Sequence, residues 1–392
     1  MVEFPFFDAD NHYYEATDAF TRHLDPKMGG RAMQWATVNG KQRLLVGGAI
    51  NRFIPNPTFA NVSRPGALVD YFRAKVAVTD MREAFGALEP ITDRPEYRNR
   101  DARLRVMDGQ GMEATIMLPT LGVGMEQSLQ TDPEACHAAF SSFNRWLDED
   151  WGFNHQDRLY AAPYIPLIAI DAAVTELDYV LSHGARVVLM RPASVYGAAG
   201  YRTPGDKSHD AFWARLNEAG VTLVFHGGDS GYRDYEANWG MSGETEAFRS
   251  PVLKRLLSAS PIRDTIASLM SDQLFDRFPN LRVATIETGA DWVRPLLKKL
   301  RSSAVQAPHA WKGHPVELFQ QHVWVSPFFE DDVHDLIGLV GADRVVFGSD
   351  WPHAEGLENP ASFAKELDGV SDADIHKIMY SNARGLVTPR SA

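Results

Sequence analysis

The chain has 392 residues, 44% of them hydrophobic, and a formal net charge of −12 at pH 7. This length can bury one large core or two ordinary ones, because α/β barrels often exceed the usual length of a domain. The net negative charge and the lack of any Lys/Arg-rich run argue against a nucleic-acid partner. No apolar run approaches the ~20 residues that span a bilayer. A single cysteine, Cys136, allows no internal disulfide, and the start MVEFPFFDAD lacks the features of a secretion signal, so we expect a cytoplasmic protein.

Short apolar runs rich in β-branched residues alternate with amphipathic stretches, which is typical of parallel strands joined by helices. Eight such runs occur in chain order: FPFFDAD (4–10), ATIMLP (114–119), RLYAAPYIP (158–166), ARVVLMR (185–191), VTLVFH (221–226), LRVATIE (281–287), HVWVSP (322–327) and DRVVFGSD (343–350). Two of the helical stretches end at Gly184 and Gly220, which predicts helix C-caps there. Eight repeated units favour an α/β fold of the (β/α)8 TIM barrel type over an open doubly wound sheet.

Residues 13–100 interrupt this alternation and are rich in Pro, Gly, Asn and Arg. The stretch is too long for an ordinary connection. We therefore predict a single barrel domain over residues 1–392 that carries residues 13–100 as an insertion after its first strand. Because loops after barrel strands lie on the catalytic face, the insertion forms either a cap over the site or a contact with another subunit.

Acidic and histidine side chains stand at the ends of several predicted strands. Asp10 and His12 lie one pleat apart on the first strand, while His226, Glu287 and Asp350 close the fifth, sixth and eighth. Taken alone, each has an ordinary structural explanation, such as a helix cap or a satisfied polar group. Together they meet at the end of the barrel where catalytic groups sit, and their mutual repulsion calls for a cation or shared protons. The pattern therefore predicts a metal site.

Four blocks of this sequence resemble a known family in order and spacing: DADNHYYE, FHGG, FPNLRVATIETGADWV and RVVFGSDWPHAEG. The family is the amidohydrolase-related one that includes aminocarboxymuconate-semialdehyde decarboxylase and the resorcylate decarboxylases. The resemblance covers nearly the whole chain. It implies a (β/α)8 barrel that holds a divalent ion through Asp10, His12, His226 and Asp350. Such oxygen and imidazole donors suit zinc, manganese or iron, so the identity of the ion stays open.

The sequence departs from the family pattern at two strands. In many relatives the sixth strand ends in a histidine that moves protons, whereas this chain has Glu287, which either serves as the base or binds the metal directly. Two-metal relatives commonly use a carboxylated lysine at the fourth strand, where this chain has Arg191. One metal is therefore favoured, unless Glu15 and Glu287 recruit a second.

Two further residues complete the predicted site. Arg191 is the candidate to clamp a substrate carboxylate, with an ion pair to a nearby acid as the equally weighted alternative. His353, three residues after Asp350, is expected to orient a ligand, move a proton or bind metal, and orientation is favoured. The predicted catalytic set is thus Glu287, His353 and Arg191.

The leading functional hypothesis is a metal-dependent hydrolase or non-oxidative decarboxylase that acts on a small carboxylated or carbonyl-bearing compound, with aromatic compounds included. One alternative is an oxygen-activating dinuclear iron or iron/manganese oxygenase on the same barrel, suggested by the surplus of carboxylates. A second alternative is a barrel subunit that has no catalytic role. We expect a small-molecule substrate, no nucleic-acid or membrane partner, and a homo-oligomer.

Overall fold

The computed structural model describes residues 4–54, 56–76, 83, 85–197, 200–241, 253, 256–257 and 260–390. The strands are β1 Phe6–Tyr13, β2 Met33–Val38, β3 Lys41–Val46, β4 Ala49–Ile50, β5 Asn61–Val62, β6 Glu89–Pro90, β7 Met112–Pro119, β8 Leu159–Ala161, β9 Val187–Met190, β10 Val195–Gly197, β11 Gly200–Arg202, β12 Thr222–His226, β13 Arg282–Ile286 and β14 Val323–Val325.

Helices lie between the strands. The α-helices are Val69–Phe72, Arg100–Gln110, Glu126–Leu129, Pro133–Asp150, Ile170–Ser182, Asp210–Ala219, Arg233–Asn238, Pro261–Ser271, Leu274–Arg277, Val293–Gln306, Pro315–His322, Val333–Val340, Asp372–His376 and Asn382–Leu386. Within the described ranges, no helix combines the length and apolar character needed to cross a membrane.

Seven strands form two parallel sheets. The first has the order β1-β7-β8 and the second the order β14-β13-β12-β9. A parallel bridge between Tyr164 and Leu189 joins the β8 side of the first sheet to β9 of the second. The two sheets are therefore continuous along that edge.

Residues 345–351 complete the ring as its eighth member. Val345 forms a parallel bridge with Val325 of β14, and Trp351 forms one with Asn11 of β1. The backbone amide of Asp350 also donates to the carbonyl of Asp10 at 2.9 Å. All eight runs predicted from the sequence contribute to this ring, and the prediction of a (β/α)8 barrel is confirmed.

The strands are apolar because both of their faces are covered, one by the barrel interior and the other by helices. Every residue of β1, β12 and β13 is buried. Gly220 ends the helix before β12 in the left-handed conformation, with φ at 62°, as its C-cap prediction requires. Gly184 lies one residue beyond the C-cap His183 and has φ at 90°. Each glycine permits the sharp turn from a helix into the next strand.

The segment between β1 and the helix Arg100–Gln110 carries small elements of its own. Strands β2, β3 and β4 form an antiparallel sheet, and β5 pairs with β6. The amide of Gly66 donates to the carbonyl of His353 at 3.1 Å, and that of Leu68 donates to the carbonyl of Ala354 at 2.8 Å. This part of the segment is thereby attached to the loop after the eighth strand. Residues 55, 77–82 and 84 lie outside the described ranges, and the boundaries 13–100 stay a prediction.

Candidate active site

The carboxyl ends of four barrel strands position the ionisable side chains predicted from the sequence. Asp10 and His12 lie in the second half of β1, His226 is the last residue of β12, and Glu287 directly follows β13. Asp350 lies in the eighth strand, beside Asp10. Glu287 and Asp350 both adopt positive φ, 49° and 55°. This conformation is unfavourable for residues other than glycine and tends to occur at functional sites.

Four of these side chains converge on one centre. Nε2 of His12 lies 3.2 Å from Oδ1 of Asp10, 3.5 Å from Oε2 of Glu287 and 3.4 Å from Oδ1 of Asp350. Nε2 of His226 lies 2.8 Å from Oε2 of Glu287 and 3.8 Å from Oδ1 of Asp10. One ligand atom from each of Asp10, His12, His226 and Glu287 lies within 4.8 Å of all the others, a separation that one metal ion can bridge. A second group, overlapping at His12, contains Asp350 and His353.

Three atoms at this centre are buried and make no well-aligned hydrogen bond, although other side-chain atoms of the cluster lie close to them. They are Oδ1 of Asp10, Nε2 of His12 and Nε2 of His226. Nδ1 of His226 lies 2.7 Å from the carbonyl oxygen of Gly227, which can only accept, so Nδ1 carries a proton in both charge states and, in the neutral ring, Nε2 would present its lone pair to the centre. Buried polar atoms rarely lack partners, and these donor types are those of a divalent-metal site. The residues present therefore fit a divalent cation.

The charges at this centre shift each other's pKa. Burial alone would lower the pKa of His226, but the carboxylates of Glu287 and Asp10 together outweigh burial and raise that pKa to about 10. Burial would likewise raise the pKa of Glu287, yet charged His226 and His12 together hold it well below its usual value. Burial, reinforced by the Glu287 carboxylate, raises the pKa of Asp350 well above its usual value. The protonated histidines thus provide the positive charge that balances the carboxylates.

His353 lies directly behind Asp350. Its Nδ1 is 2.6 Å from Oδ1 of Asp350, and its Nε2 is 2.9 Å from Oγ1 of Thr120. The Thr120 hydroxyl donates to the carbonyl of Tyr13 at 2.8 Å, so towards His353 it acts as an acceptor. Burial, and after it the charge of His12, lowers the pKa of His353 well below its usual value. With both ring nitrogens engaged, His353 fixes the orientation of Asp350.

Glu15 is not brought into the cluster. Its Oε1 accepts hydrogen bonds from the backbone amides of Leu121 and Gly122, each at 2.9 Å. Burial raises the pKa of Glu15 to about 7 even though these amides favour its charged form. The carboxylate therefore anchors the loop after β7 to the end of β1.

Arg191 is also turned away from the cluster. Its Nε lies 3.2 Å from Oε1 of Glu126, and its NH1 donates to the side chain of Gln127 and to the carbonyl of Asp229. The guanidinium is buried, with 5% of the side chain exposed. In the structure Arg191 thus forms an ion pair with a nearby acid, which was the alternative to a substrate clamp.

Several residues of the site gave no signal in the sequence. Arg103, from the helix Arg100–Gln110, is fully buried and donates to the side chain of Asn11 and, at 2.7 Å, to the carbonyl of His12. It thereby fixes the end of β1. Phe72, from the segment after β1, and Thr120 also reach the site. These residues look like ordinary helix, turn and loop residues, and only tertiary contacts reveal their positions.

A cavity of about 300 Å³ opens onto the cluster. Its lining combines the cluster carboxylates with phenylalanine rings and small residues: Asp10, Phe72, Glu287, Ser326, Pro327, Phe328, Phe329, Glu330, Gly348, Ser349, Asp350, Glu355 and Gly356. Glu287 is the most open member of the cluster, with 26% of its side chain exposed against 5% for Asp10 and 11% for Asp350. The volume lies at the lower end of the range for small-molecule sites.

Comparison with known proteins gives matches over most of the chain. The family model described as Amidohydrolase matches residues 8–387. The solved amidohydrolase from Mycobacterium avium subsp. paratuberculosis K-10 is 44% identical, with a TM-score of 0.93, and the match covers 99% of this chain and 100% of that one.

Matches to decarboxylases are more distant. The gamma-resorcylate decarboxylase of Rhodococcus jostii (strain RHA1) is 27% identical over 305 residues, which cover 73% of this chain and 87% of that enzyme. The structure of a dihydroxybenzoic acid decarboxylase from Polaromonas sp. JS666, with bound manganese and the inhibitor 2-nitroresorcinol, has a TM-score of 0.57 at 19% identity. That match covers 83% of this chain and 97% of the other.

Proposed function

The chain belongs to the amidohydrolase family, which confirms the resemblance inferred from the sequence, and on this premise we propose that it is a metal-dependent decarboxylase of a small aromatic carboxylic acid. The observation that carries the proposal is the set of buried, unpartnered nitrogen and oxygen atoms at the mouth of an aromatic-walled cavity. Hydrolysis of a carbonyl compound is the other reaction of this class that the same site would support. The sequence similarity to gamma-resorcylate decarboxylases favours decarboxylation.

Asp10, His12 and His226 are the proposed metal ligands, together with Asp350, whose Oδ1 lies 3.4 Å from Nε2 of His12. Glu287, which forms one group with the first three residues, is the alternative fourth ligand. A bound divalent ion, whether zinc, manganese or iron, would supply a Lewis acid that polarises the substrate oxygens. Among the residues of the chain, Gly227 sets the tautomer of His226, and His353 orients Asp350. Arg191 has no part in this proposal, because its ion pair with Glu126 already engages its guanidinium.

Glu287 is proposed to transfer the proton. In decarboxylation, the bond between the ring carbon and the carboxylate breaks, its electron pair stays on the carbon, and a proton replaces the departing CO₂. Glu287 lies 2.8 Å from Nε2 of His226 and lines the cavity, so it is placed between the cluster and a bound substrate. To donate a proton, the carboxyl group of Glu287 must itself be protonated. A charged His226 disfavours this protonated form, whereas a neutral His226 bound to metal would permit it.

The aromatic side chains of the cavity support a planar substrate. Phe72 comes from the segment after β1, and Phe328 and Phe329 follow β14. The guanidinium of Arg73 lies 5.1 Å from the ring centre of Phe329 and pairs with Glu366 at 2.5 Å, which holds this wall in place. Aromatic rings favour offset or edge contacts with a planar ligand.

The experiment that tests this function is CO₂ release from a panel of hydroxybenzoates, measured with and without oxygen and with metal counted per chain. The proposal expects turnover without oxygen and about one metal ion per chain. Two irons together with oxygen consumption would instead support the dinuclear oxygenase. Metal-loaded protein that converts neither carboxylates nor amides would support the non-catalytic subunit. A cytoplasmic location and a homo-oligomeric state stay predictions from the sequence.

A further inference from the structure

A second large depression lies at the other end of the barrel from the candidate active site. It has a volume of about 1050 Å³ and is more open than the active-site cavity. Arg282 at the start of β13, Trp324 of β14, Arg344 just before the eighth strand, and Arg384 and Arg390 near the C-terminus contribute to its lining. In a chain with a net charge of −12, four arginines around one depression are an unusual concentration of positive charge.

Three of the four arginines have no ion-pair partner in the part of the chain that the structure describes. Arg384 pairs with Glu113 at 2.5 Å. Within the described ranges, however, no carboxylate forms an ion pair with Arg282, Arg344 or Arg390. Asp343, the acid among the described lining residues, already pairs with Lys377 at 3.2 Å. Among the described residues, the guanidinium groups of Arg282, Arg344 and Arg390 therefore keep their positive charge without an ion-pair partner.

Many of the guanidinium donors are also unused. A guanidinium has five N–H donors. Arg282 directs three of them to the carbonyls of Gly385, Gly220 and Thr388, and its buried Nε has no partner. Arg344 directs two donors to backbone carbonyls, and the side chain of Arg390 contacts the ring of Trp324. The remaining donors can take further acceptors.

The geometry brings two of these charges close together. The guanidinium carbons of Arg344 and Arg390 lie 4.6 and 5.8 Å from the ring centre of Trp324. Burial, and after it the charge of Arg390, lowers the pKa of Arg282 to about 10. The like charges therefore interact across the depression, and an anion between them would relieve that repulsion.

We propose that this depression binds a phosphate-bearing small molecule through Arg344 and Arg390, with Arg282 as the buried cation behind them. Planar guanidinium groups match the oxygen geometry of phosphate better than lysine does. The inference is independent of the proposed decarboxylase function, because the depression shares no lining residue with the active-site cavity.

The test is equilibrium dialysis of the metal-loaded enzyme against radiolabelled inorganic phosphate at low ionic strength. The proposal expects saturable binding of about one phosphate per chain that weakens as salt is added. Arg344→Gln and Arg390→Gln should each weaken binding by about tenfold or more, the usual worth of a charge-assisted hydrogen bond. Arg301→Gln is the matched control, because Arg301 is exposed on the helix Val293–Gln306 and its loss changes the net charge equally.

The outcomes separate this site from other phosphate sites on the enzyme. Phosphate binding that is unchanged in Arg344→Gln and Arg390→Gln would place the anion elsewhere, for instance on the active-site metal, and would overturn the proposal. Absence of saturable binding at millimolar phosphate would also overturn it. If Arg301→Gln weakens phosphate binding as much as the other two variants do, the effect arises from net charge alone, and this result would also overturn the proposal. Competition by a phosphate monoester such as glycerol 3-phosphate then tells whether free or organic phosphate binds more tightly.

Discussion

Replacement of His353 tests whether this residue orients a metal ligand or takes part in proton transfer. In His353→Gln the 2.6 Å contact between Nδ1 and Oδ1 of Asp350 is lost or weakened, and so is the contact with Thr120. Mutation of a residue that hydrogen-bonds to a metal ligand typically lowers metal affinity by 10- to 100-fold. That range corresponds to about 1.4 to 2.8 kcal/mol. We expect His353→Gln to lower metal affinity by this amount while activity at saturating metal largely recovers.

Metal affinity is measured by competition with a chelating dye, and CO₂ release is then followed at saturating metal. Thr120→Val is the matched control, because it removes the contact with Nε2 of His353 and the hydrogen bond to the Tyr13 carbonyl but keeps the contact of His353 with Asp350, so it should have a smaller effect on affinity. Unchanged metal affinity combined with a large loss of kcat at saturating metal would refute the orienting role and assign His353 to proton transfer. Equal losses of metal affinity in both variants would indicate that the contact of His353 with Thr120 matters as much as its contact with Asp350, and would contradict the expected order.

Three further predictions follow from the same contacts. Glu287→Gln should lower kcat by about 10²- to 10⁴-fold, the usual contribution of a proton-transfer group, with little change in metal content by elemental analysis. If Glu287→Gln instead loses the metal, Glu287 is a ligand. Phe72→Ala should raise KM for a hydroxybenzoate by about 2- to 10-fold, since an aromatic contact is worth about 0.5–1.5 kcal/mol, with a smaller effect on kcat; an unchanged KM would remove Phe72 from the substrate wall. In the metal-free protein the pKa of His226 is raised from 6.5 to about 10, so its stabilising contribution is complete below pH 6.5 and is lost as the pH rises towards 10. Urea unfolding of metal-free protein at pH 6, 8 and 10 checks this trend, which a stability that increases over this range would contradict.

The barrel could be predicted because its signal is local. Each strand is a short apolar run, and helices such as Asp210–Ala219 end at a glycine that the turn requires, here Gly220. The convergence of Asp10, His12 and His226 was also predictable, because parallel strands in a barrel place their carboxyl ends at one face.

The surroundings of the cluster depend on contacts between distant parts of the chain. Arg191 was a reasonable carboxylate clamp at the end of a strand, but Glu126 lies beside it in space and neutralises it. Glu15 lies near the metal pair in sequence, yet the backbone amides after β7 bind its carboxylate. Neither partner has a sequence pattern that links it to the residue it contacts. For the same reason Phe72, in a one-turn helix of the segment after β1, could not be assigned to the cavity in advance.

Anomalous X-ray diffraction can locate the divalent cation that we propose among Asp10, His12, His226 and Asp350. Crystals grown from protein without added metal should be measured on both sides of the absorption edges of zinc, iron and manganese. We expect one anomalous peak at roughly 2.0–2.3 Å from donor atoms of these four residues. A map without a peak at this centre, from crystals soaked with each of the three metals, would contradict it.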